Sequence, residues 1–455
     1  MTRPDRVRRS AAGALVGALV SAGALAAVPV GPTLRAVVSY QGAHQQVAGV
    51  HLVGHLAALH MDVVTGDAAA LARLARTPGV RGVQRDTSVS LSSRRSADLG
   101  SAVFASEGLG GAAGTPDAGA GVRIALIDTG VTDTEALNRA SGRLVDAADA
   151  SRPGAVRTGG VYKDGYGHGT FMATVLAGGP VEGTDGRALG VAPGATVLVV
   201  RVAKRNGRTS LSRVLGGLDW VASHADEVDI ANLALSHTRP GDAYGPDPLT
   251  DAVEQVRAAG VTVVVASGND RNEVGDPGFD PRVVTVGAAD LGNDRVATFS
   301  GSALVQGVRK PDVVASGVDV LGLLPTGSVI ERSDETTHLP FGLFRGTGTS
   351  QATAITSGLA AILLAAHPDA TPTQVKAALR CAADDLPGVR DGAGLVRATT
   401  TLCSGPDGEP LDGSSTDLTG EAHFDANSWT ANSWTANSWT ANSWSTAGWG
   451  GGDHE

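Results

Sequence analysis

The chain has 455 residues, 42% of them hydrophobic but only 4% aromatic, and a formal net charge of −10. That is enough apolar material for two or three domains with largely aliphatic cores. The acidic balance argues against a nucleic-acid binder, which needs a basic face.

Arg3, Arg6, Arg8 and Arg9 precede an apolar run of small residues from Ala11 to Ala27, and Ala24-Leu25-Ala26 fits a small-x-small cleavage site. Residues 1–27 therefore read as an export signal rather than a membrane anchor. No later stretch reaches the ~18 apolar residues of a spanning helix, so an exported protein with no membrane anchor after cleavage is expected. Residues 34–91 carry a small α/β pattern: a strand over Leu34–Tyr40, a helix over Gln46–Leu59, a strand at Met61–Val64, a helix over Ala68–Arg76 and a strand at Val80–Val83. Residues 92–120, rich in Gly, Ala and Ser and containing Arg94-Arg95, read as a linker.

From residue 121 to 405, strands alternate with helices. The strands are expected at Val122–Ile127, Thr196–Val202, Asp229–Leu235, Val261–Ala266 and Val283–Val286. The helices are expected at His168–Ala177, Ser210–Ser223, Leu249–Ala259, Ser350–Ala366 and Thr373–Ala382. Strands that are apolar throughout are buried on both faces, which implies an α/β fold with a parallel sheet covered by helices. Cys381 and Cys403 are the only cysteines. In an exported chain they are expected to pair, worth roughly 3 kcal/mol on a chain-entropy account. With no His or Cys at ligand spacing nearby, metal binding is not expected there.

Residues 406–455 change character. A five-residue repeat begins at Ala426 and places Trp429, Trp434, Trp439 and Trp444 at equal intervals, with a variant at Trp449. The period fits neither helix nor strand, so an extended low-complexity tail is expected. Its Trp faces offer stacking surfaces for a glycan such as cell wall.

Three motifs carry the chemistry: Asp128-Thr129-Gly130, Gly167-His168-Gly169-Thr170 and Gly348-Thr349-Ser350. Taken singly, Asp128 reads as a turn residue and His168 and Ser350 as helix caps. Together they supply a hydroxyl nucleophile, a base to take its proton and a carboxylate to orient the base. The order Asp, His, Ser separates this arrangement from the other known chain orders of the same relay. A second Asp-Thr-Gly, which a single-chain aspartic protease needs, is absent. An esterase reading is weak, because the later Asp-then-His order is poorly met by His367, Asp369 and His423.

At these residues the chain resembles the subtilisin-like serine proteases, over roughly residues 116–400. Val261 to Asn269 resembles the family strand that ends in an oxyanion-hole asparagine, so the resemblance implies that role for Asn269. It also implies a substrate path along Ala234, Leu235, Ser236, Ser267 and Gly268, polypeptide substrates, and a three-layer sheet. Residues 34–91 resemble the inhibitory propeptide of secreted members, which would make the chain its own intramolecular partner. No cofactor is required for such catalysis, no metal site is expected, and a structural calcium ion has no support in the sequence. The chain departs from the family at Gln351, where Met is common after the nucleophile, at Ala354 in place of Pro, at Phe171 in place of His, and at Ser236 in place of Gly. The reading from another class is a catalytically impaired binding protein on this fold.

Overall fold

The computed structural model describes residues 32–41, 46–91, 102–237, 247–305, 307–333, 338–387 and 390–404. The expected signal, Arg94-Arg95, His423 and the Trp repeats lie outside the described residues.

The N-terminal unit consists of β1 (Leu34–Tyr40), β2 (Val50–Leu56), β3 (Met61–Gly66), α1 (Ala68–Leu74) and β4 (Val80–Arg85). The four strands form an antiparallel sheet in the order β2-β3-β1-β4. Alternation within β1 sends Ala36, Val38 and Tyr40 toward Leu71 and Leu74 of α1. It sends Val37, with Leu56, Met61 and Val63, into the core of the larger unit. The helix expected over Gln46–Leu59 is instead the edge strand β2. Leu52, Leu56 and Leu59 have helix-like spacing, but the backbone of 50–56 pairs with β3, and Leu52 stays exposed.

A short strand, β5 (Ser88–Leu91), leaves this unit for the larger one. The larger unit continues with β6 (Arg123–Asp128), β7 (Leu144–Arg152), β8 (Ala155–Arg157), α2 (His168–Ala177), β9 (Thr196–Arg201), β10 (Thr209–Ser210) and α3 (Leu211–Ser223). Next come β11 (Ile230–Leu233), β12 (Leu235–Ser236), α4 (Pro248–Ala258), β13 (Thr262–Ala266), β14 (Val284–Asp290) and β15 (Arg295–Val296). After these follow β16 (Ala303–Val305), β17 (Val308–Lys310), β18 (Val313–Ser316), β19 (Val320–Leu323), α5 (Val329–Ser333), β20 (Leu343–Gly346), α6 (Thr349–Ala366) and α7 (Pro372–Cys381).

The central nine-stranded sheet runs β8-β7-β9-β6-β11-β13-β14, with β15 and β18 both on β14. All its pairings are parallel except those of β8 and β15. Alternate residues face opposite layers, as the continuous apolar strands require. Ile124 and Leu126 pack with α2, α6 and α7, whereas Ala125 and Ile127 pack with α3 and α4. This is the α/β arrangement expected from the sequence. The chain winds from β6 to one side through β7 and β9, then resumes at β11 on the other. A crevice therefore opens beyond the carboxyl ends of β6 and β11, where open parallel sheets bind their ligands. Helix α6 is apolar and long enough to cross a membrane, but residues 349–364 are buried at the centre of the protein. The expected linker differs from the structure in part. Ala105, Leu109 and Ala118 lie in the main core, because residues 102–120 carry enough apolar side chains to pack along the domain.

Candidate active site

Strand β6 ends at Asp128, and the turn after it is tight. Gly130 adopts φ +102°, and a Cβ there would stand 2.4 Å from the Tyr162 carbonyl oxygen. Helix α2 begins at His168, following Gly167 at φ +115°. Gly169 lets the helix start approach β6: a Cβ on it would lie 2.2 Å from the Gly130 oxygen. Both Asp128 oxygens lie 2.8 Å from His168 Nδ1. His168 Nε2 lies 3.1 Å from Ser350 Oγ. Ser350 is the second residue of α6, and its Oγ also lies 2.9 Å from the Ala234 carbonyl oxygen, the alternative acceptor for its proton. Three residues far apart in sequence are thus brought into one buried hydrogen-bonded row.

Asn269 follows β13 and approaches the same helix start. Its Oδ1 accepts from the Thr349 N–H and from the Thr349 hydroxyl, each at 3.1 Å. A backbone N–H only donates, so the carbonyl end of Asn269 must face Thr349 and its NH₂ end is turned away as a donor. The first N–H groups of α6, Ser350 among them, have no partner within the helix and add donors beside it.

One buried carboxylate beside these residues escaped the sequence reading. Asp164 is buried in the loop before His168 and is satisfied by neutral donors. Its Oδ1 accepts from Gly167 N at 2.7 Å, Tyr166 N at 2.9 Å and the Thr129 hydroxyl at 2.9 Å. Its Oδ2 accepts from Thr170 N and the Thr170 hydroxyl, both at 2.9 Å. The Thr129 hydroxyl in turn accepts from Gly169 N. Asp164 therefore ties the turn after Asp128 to the start of α2. Burial pushes its pKa up, the bonds from Gly167 and Thr170 oppose that, and the nearby Asp128 charge adds to it. An Asp within a Gly-rich run just before His168 was the available signal.

The crevice holds β5. It pairs antiparallel with β12, placing Leu91 opposite Leu235 and Ser90 opposite Ser236. On its other side it pairs with β10, Val89 opposite Thr209. Val89 and Leu91 are buried, whereas Ser88 and Ser90 face outward. Ala234, Leu235 and Ser236 thus form one wall, one residue from Ser350. Ser267 and Gly268 follow β13 behind it; Gly268 takes φ +94°. Ser236, where glycine is common in the family, has room because Gly275 opposes it: a Cβ on Gly275 would lie 2.6 Å from that of Ser236. Phe171 and Gln351 also compensate one another. Both press on Gly346, where a Cβ would meet them at 2.7 and 2.6 Å.

The sequence model of the subtilase family matches residues 119–401. The chain belongs to the subtilase family. This subtilase is 33% identical over 308 residues to serine protease AprX of Bacillus subtilis (strain 168), covering 62% of this chain and 66% of that protein. It is 34% identical over 284 residues to alkaline elastase YaB of Bacillus sp. (strain YaB), covering 62% and 64%. The chain therefore spans just under two thirds of these relatives' length. It also resembles the crystal structure of fervidolysin from Fervidobacterium pennivorans, a keratinolytic enzyme related to subtilisin, with a TM-score of 0.63 and 21% identity over 81% of this chain and 60% of that one. At that identity the likeness bears on the fold.

Among the described residues of the subtilase, no three His, Cys, Asp or Glu side chains converge as a metal site would need. Cys381, the last residue of α7, is bonded to Cys403, with 6.1 Å between their Cα atoms.

Proposed function

We propose that this subtilase is an exported serine endopeptidase, made with an N-terminal inhibitor that it removes itself. The observation that carries the reading is the buried Asp128–His168–Ser350 row, with an extended strand of the chain's own N-terminal unit lying along the crevice in front of it. In this reading His168 Nε2 takes the Ser350 proton as Oγ attacks a peptide carbonyl. Asp128 holds the proton on Nδ1 and compensates the imidazolium that forms. The Asn269 amide and the α6 N-terminus donate to the oxyanion, which exists only along the reaction path. His168 then gives its proton to the leaving amine, and water cleaves the acyl-enzyme by the same relay in reverse.

The N-terminal unit is the proposed propeptide. Asp219 of α3 accepts from Ala58 N at 2.8 Å and Leu59 N at 3.2 Å, and Asp86 caps α3 by accepting from Ser212 N at 2.8 Å. The register supports a cut just past Leu91. Leu91, the last residue of that ladder, stands opposite Leu235, one residue from the Ala234 carbonyl that meets the Ser350 hydroxyl. Cleavage after Ser92 would leave Ser93 as the mature N-terminus. Pairing of Cys381 with Cys403 in the exported enzyme and retention by the Trp-rich tail on cell-wall glycan belong to the same proposal.

The test is fluorophosphonate labelling of the secreted protein, with peptide mapping and N-terminal sequencing. Label on the Ser350 peptide, a mature N-terminus at Ser93, and an uncleaved, unlabelled Ser350→Ala chain are expected. Label elsewhere, or none on a folded mature protein, overturns the mechanism. Normal processing of Ser350→Ala assigns the cut to another protease.

A further inference from the structure

Thr87, immediately before β5, makes two bonds to the larger unit. Its carbonyl accepts from Leu211 N, at the start of α3, at 3.0 Å. Its hydroxyl shares a 2.7 Å hydrogen bond with His237 Nε2. His237 follows β12 directly, and its side chain is wholly buried. The other ring nitrogen lies 3.6 Å from Oδ2 of Asp276, whose side chain is equally buried. The backbones of these two residues are bonded in both directions, His237 N to Asp276 O at 2.9 Å and Asp276 N to His237 O at 3.0 Å. Asp276 Oδ1 also accepts from Thr250 of α4 at 3.3 Å. The imidazole is therefore held by the end of β12, the loop between β13 and β14, and α4 behind that loop.

We infer that His237, positioned by Asp276, is a specificity subsite that selects a hydroxyl-bearing residue four positions before the one seated at Leu91. This rests on the endopeptidase reading, because it takes β5 as a picture of bound substrate. A chain held by the same ladder to β10 and β12 must bring its own residue to the place of Thr87. Apolar side chains at the places of Val89 and Leu91 meet apolar walls. At the place of Thr87 the wall is an imidazole nitrogen within hydrogen-bond distance of the side chain. A serine or threonine hydroxyl can donate to that nitrogen or accept from it, whichever nitrogen of the ring holds the proton. A valine has the shape of threonine and can do neither, so the hydrogen bond to the buried imidazole is lost. Preferred substrates are thus extended segments of the form hydroxyl-x-apolar-x-apolar.

The test uses the mature exported enzyme and three quenched fluorescent peptides. One has the sequence of residues 86–93; the others carry Ser or Val in place of Thr87. kcat/KM for the Thr and Ser peptides should agree within about twofold, and the Val peptide should fall about tenfold. In His237→Leu the Thr-to-Val ratio should drop to about one. Should that variant fail to fold, the three-peptide series on the native enzyme decides alone. Cleavage of Thr and Val peptides at one rate, or an unchanged ratio in folded His237→Leu, overturns the subsite and leaves the protease reading intact. No cleavage of any of the three overturns the endopeptidase reading and the subsite with it.

Discussion

Asp164, in the loop before His168, and Asp312, beneath α7, are both buried carboxylates, and they are satisfied in opposite ways. Asp164 accepts five bonds from neutral N–H and O–H groups. Asp312 is surrounded by cations: Lys310 Nζ at 2.8 Å, Lys376 Nζ at 2.8 Å and Arg380 at 3.4 Å. Burial would raise both. At Asp312 the two ammonium groups and the guanidinium overcome burial and hold it well below the usual carboxylate range. At Asp164 nothing overcomes it, and the pKa stays raised. The difference follows from what each neighbours. A cation beside His168 would oppose the imidazolium of the proposed reaction through a low-dielectric interior. Neutral donors fix the loop without that opposition. At Asp312 no charge develops, and cations can tie β14, β17 and α7 together.

Asp128→Asn tests the reactive side and should have the largest effect. Asn turns an N–H toward His168 Nδ1 and favours the wrong tautomer. A loss of about 10⁴ in kcat is expected, the scale of the same change in other serine proteases. The chain would be matured in trans by a trace of wild-type enzyme and assayed on a peptide after the latter is removed. A loss under tenfold would remove Asp128 from the relay.

Asp312→Ala tests the structural side. It removes the carboxylate that two ammonium groups and a guanidinium share. Burial pushes the Lys376 pKa down to about 7 despite the nearby Asp312 charge, and repulsion from Lys310 adds to the push. A destabilisation of about 3–5 kcal/mol is expected, with kcat of the folded protein within about twofold of wild type. Asp312 has a depressed folded pKa, so its stabilisation is fully present above the ordinary value of 3.8 and is lost as pH falls below it toward the folded value. The deficit of the variant, read from urea midpoints, should therefore shrink in acid, and also above about pH 7 as Lys376 loses its proton. An unchanged midpoint at neutral pH would refute the role.

The same contrast separates what the sequence disclosed from what it hid. Asp128, His168, Ser350 and Asn269 each stand where a periodic segment meets a glycine turn, so motif and element could be read together. The parallel sheet was legible because Val261–Ala266 and Val122–Ile127 are apolar at every position but Thr262 and Arg123, the mark of two covered faces. Asp164 was hidden because its meaning lies in donors from Thr129 and Thr170, which only the fold assembles. Asp312 was hidden for the same reason: Lys310 is near in sequence, but Lys376 arrives on α7. Strand β2 was misread because edge strands bury little, and Leu52, Leu56 and Leu59 mimic a helical stripe. His237 gave no signal, since its partner Thr87 belongs to the other unit.

Asp164→Asn should have the smallest effect and tests the comparison itself. An amide can accept with its oxygen alone. Turned one way its NH₂ faces the Thr170 N–H and hydroxyl; turned the other, it faces Gly167 N, Tyr166 N and Thr129. Either way buried donors lose an acceptor, at a cost of about 1–3 kcal/mol. The start of α2 then loosens against β6, and kcat should fall, by far less than in Asp128→Asn. The pH dependence should run opposite to that of Asp312→Ala. Because the folded pKa of Asp164 is raised, the folded wild type keeps this proton where the unfolded chain has lost it. Wild-type stability from this group is thus fully present below the ordinary value of 3.8 and lost as pH rises through the folded pKa. Asn does not titrate, so the deficit of Asp164→Asn should be greatest near pH 4, at about the ordinary aspartate value, and narrow as pH rises. Urea midpoints of both variants across that range decide the matter. A deficit that stays constant with pH, or widens with it, would mean that Asp164 is charge-compensated like Asp312, and the contrast between the two carboxylates would fail.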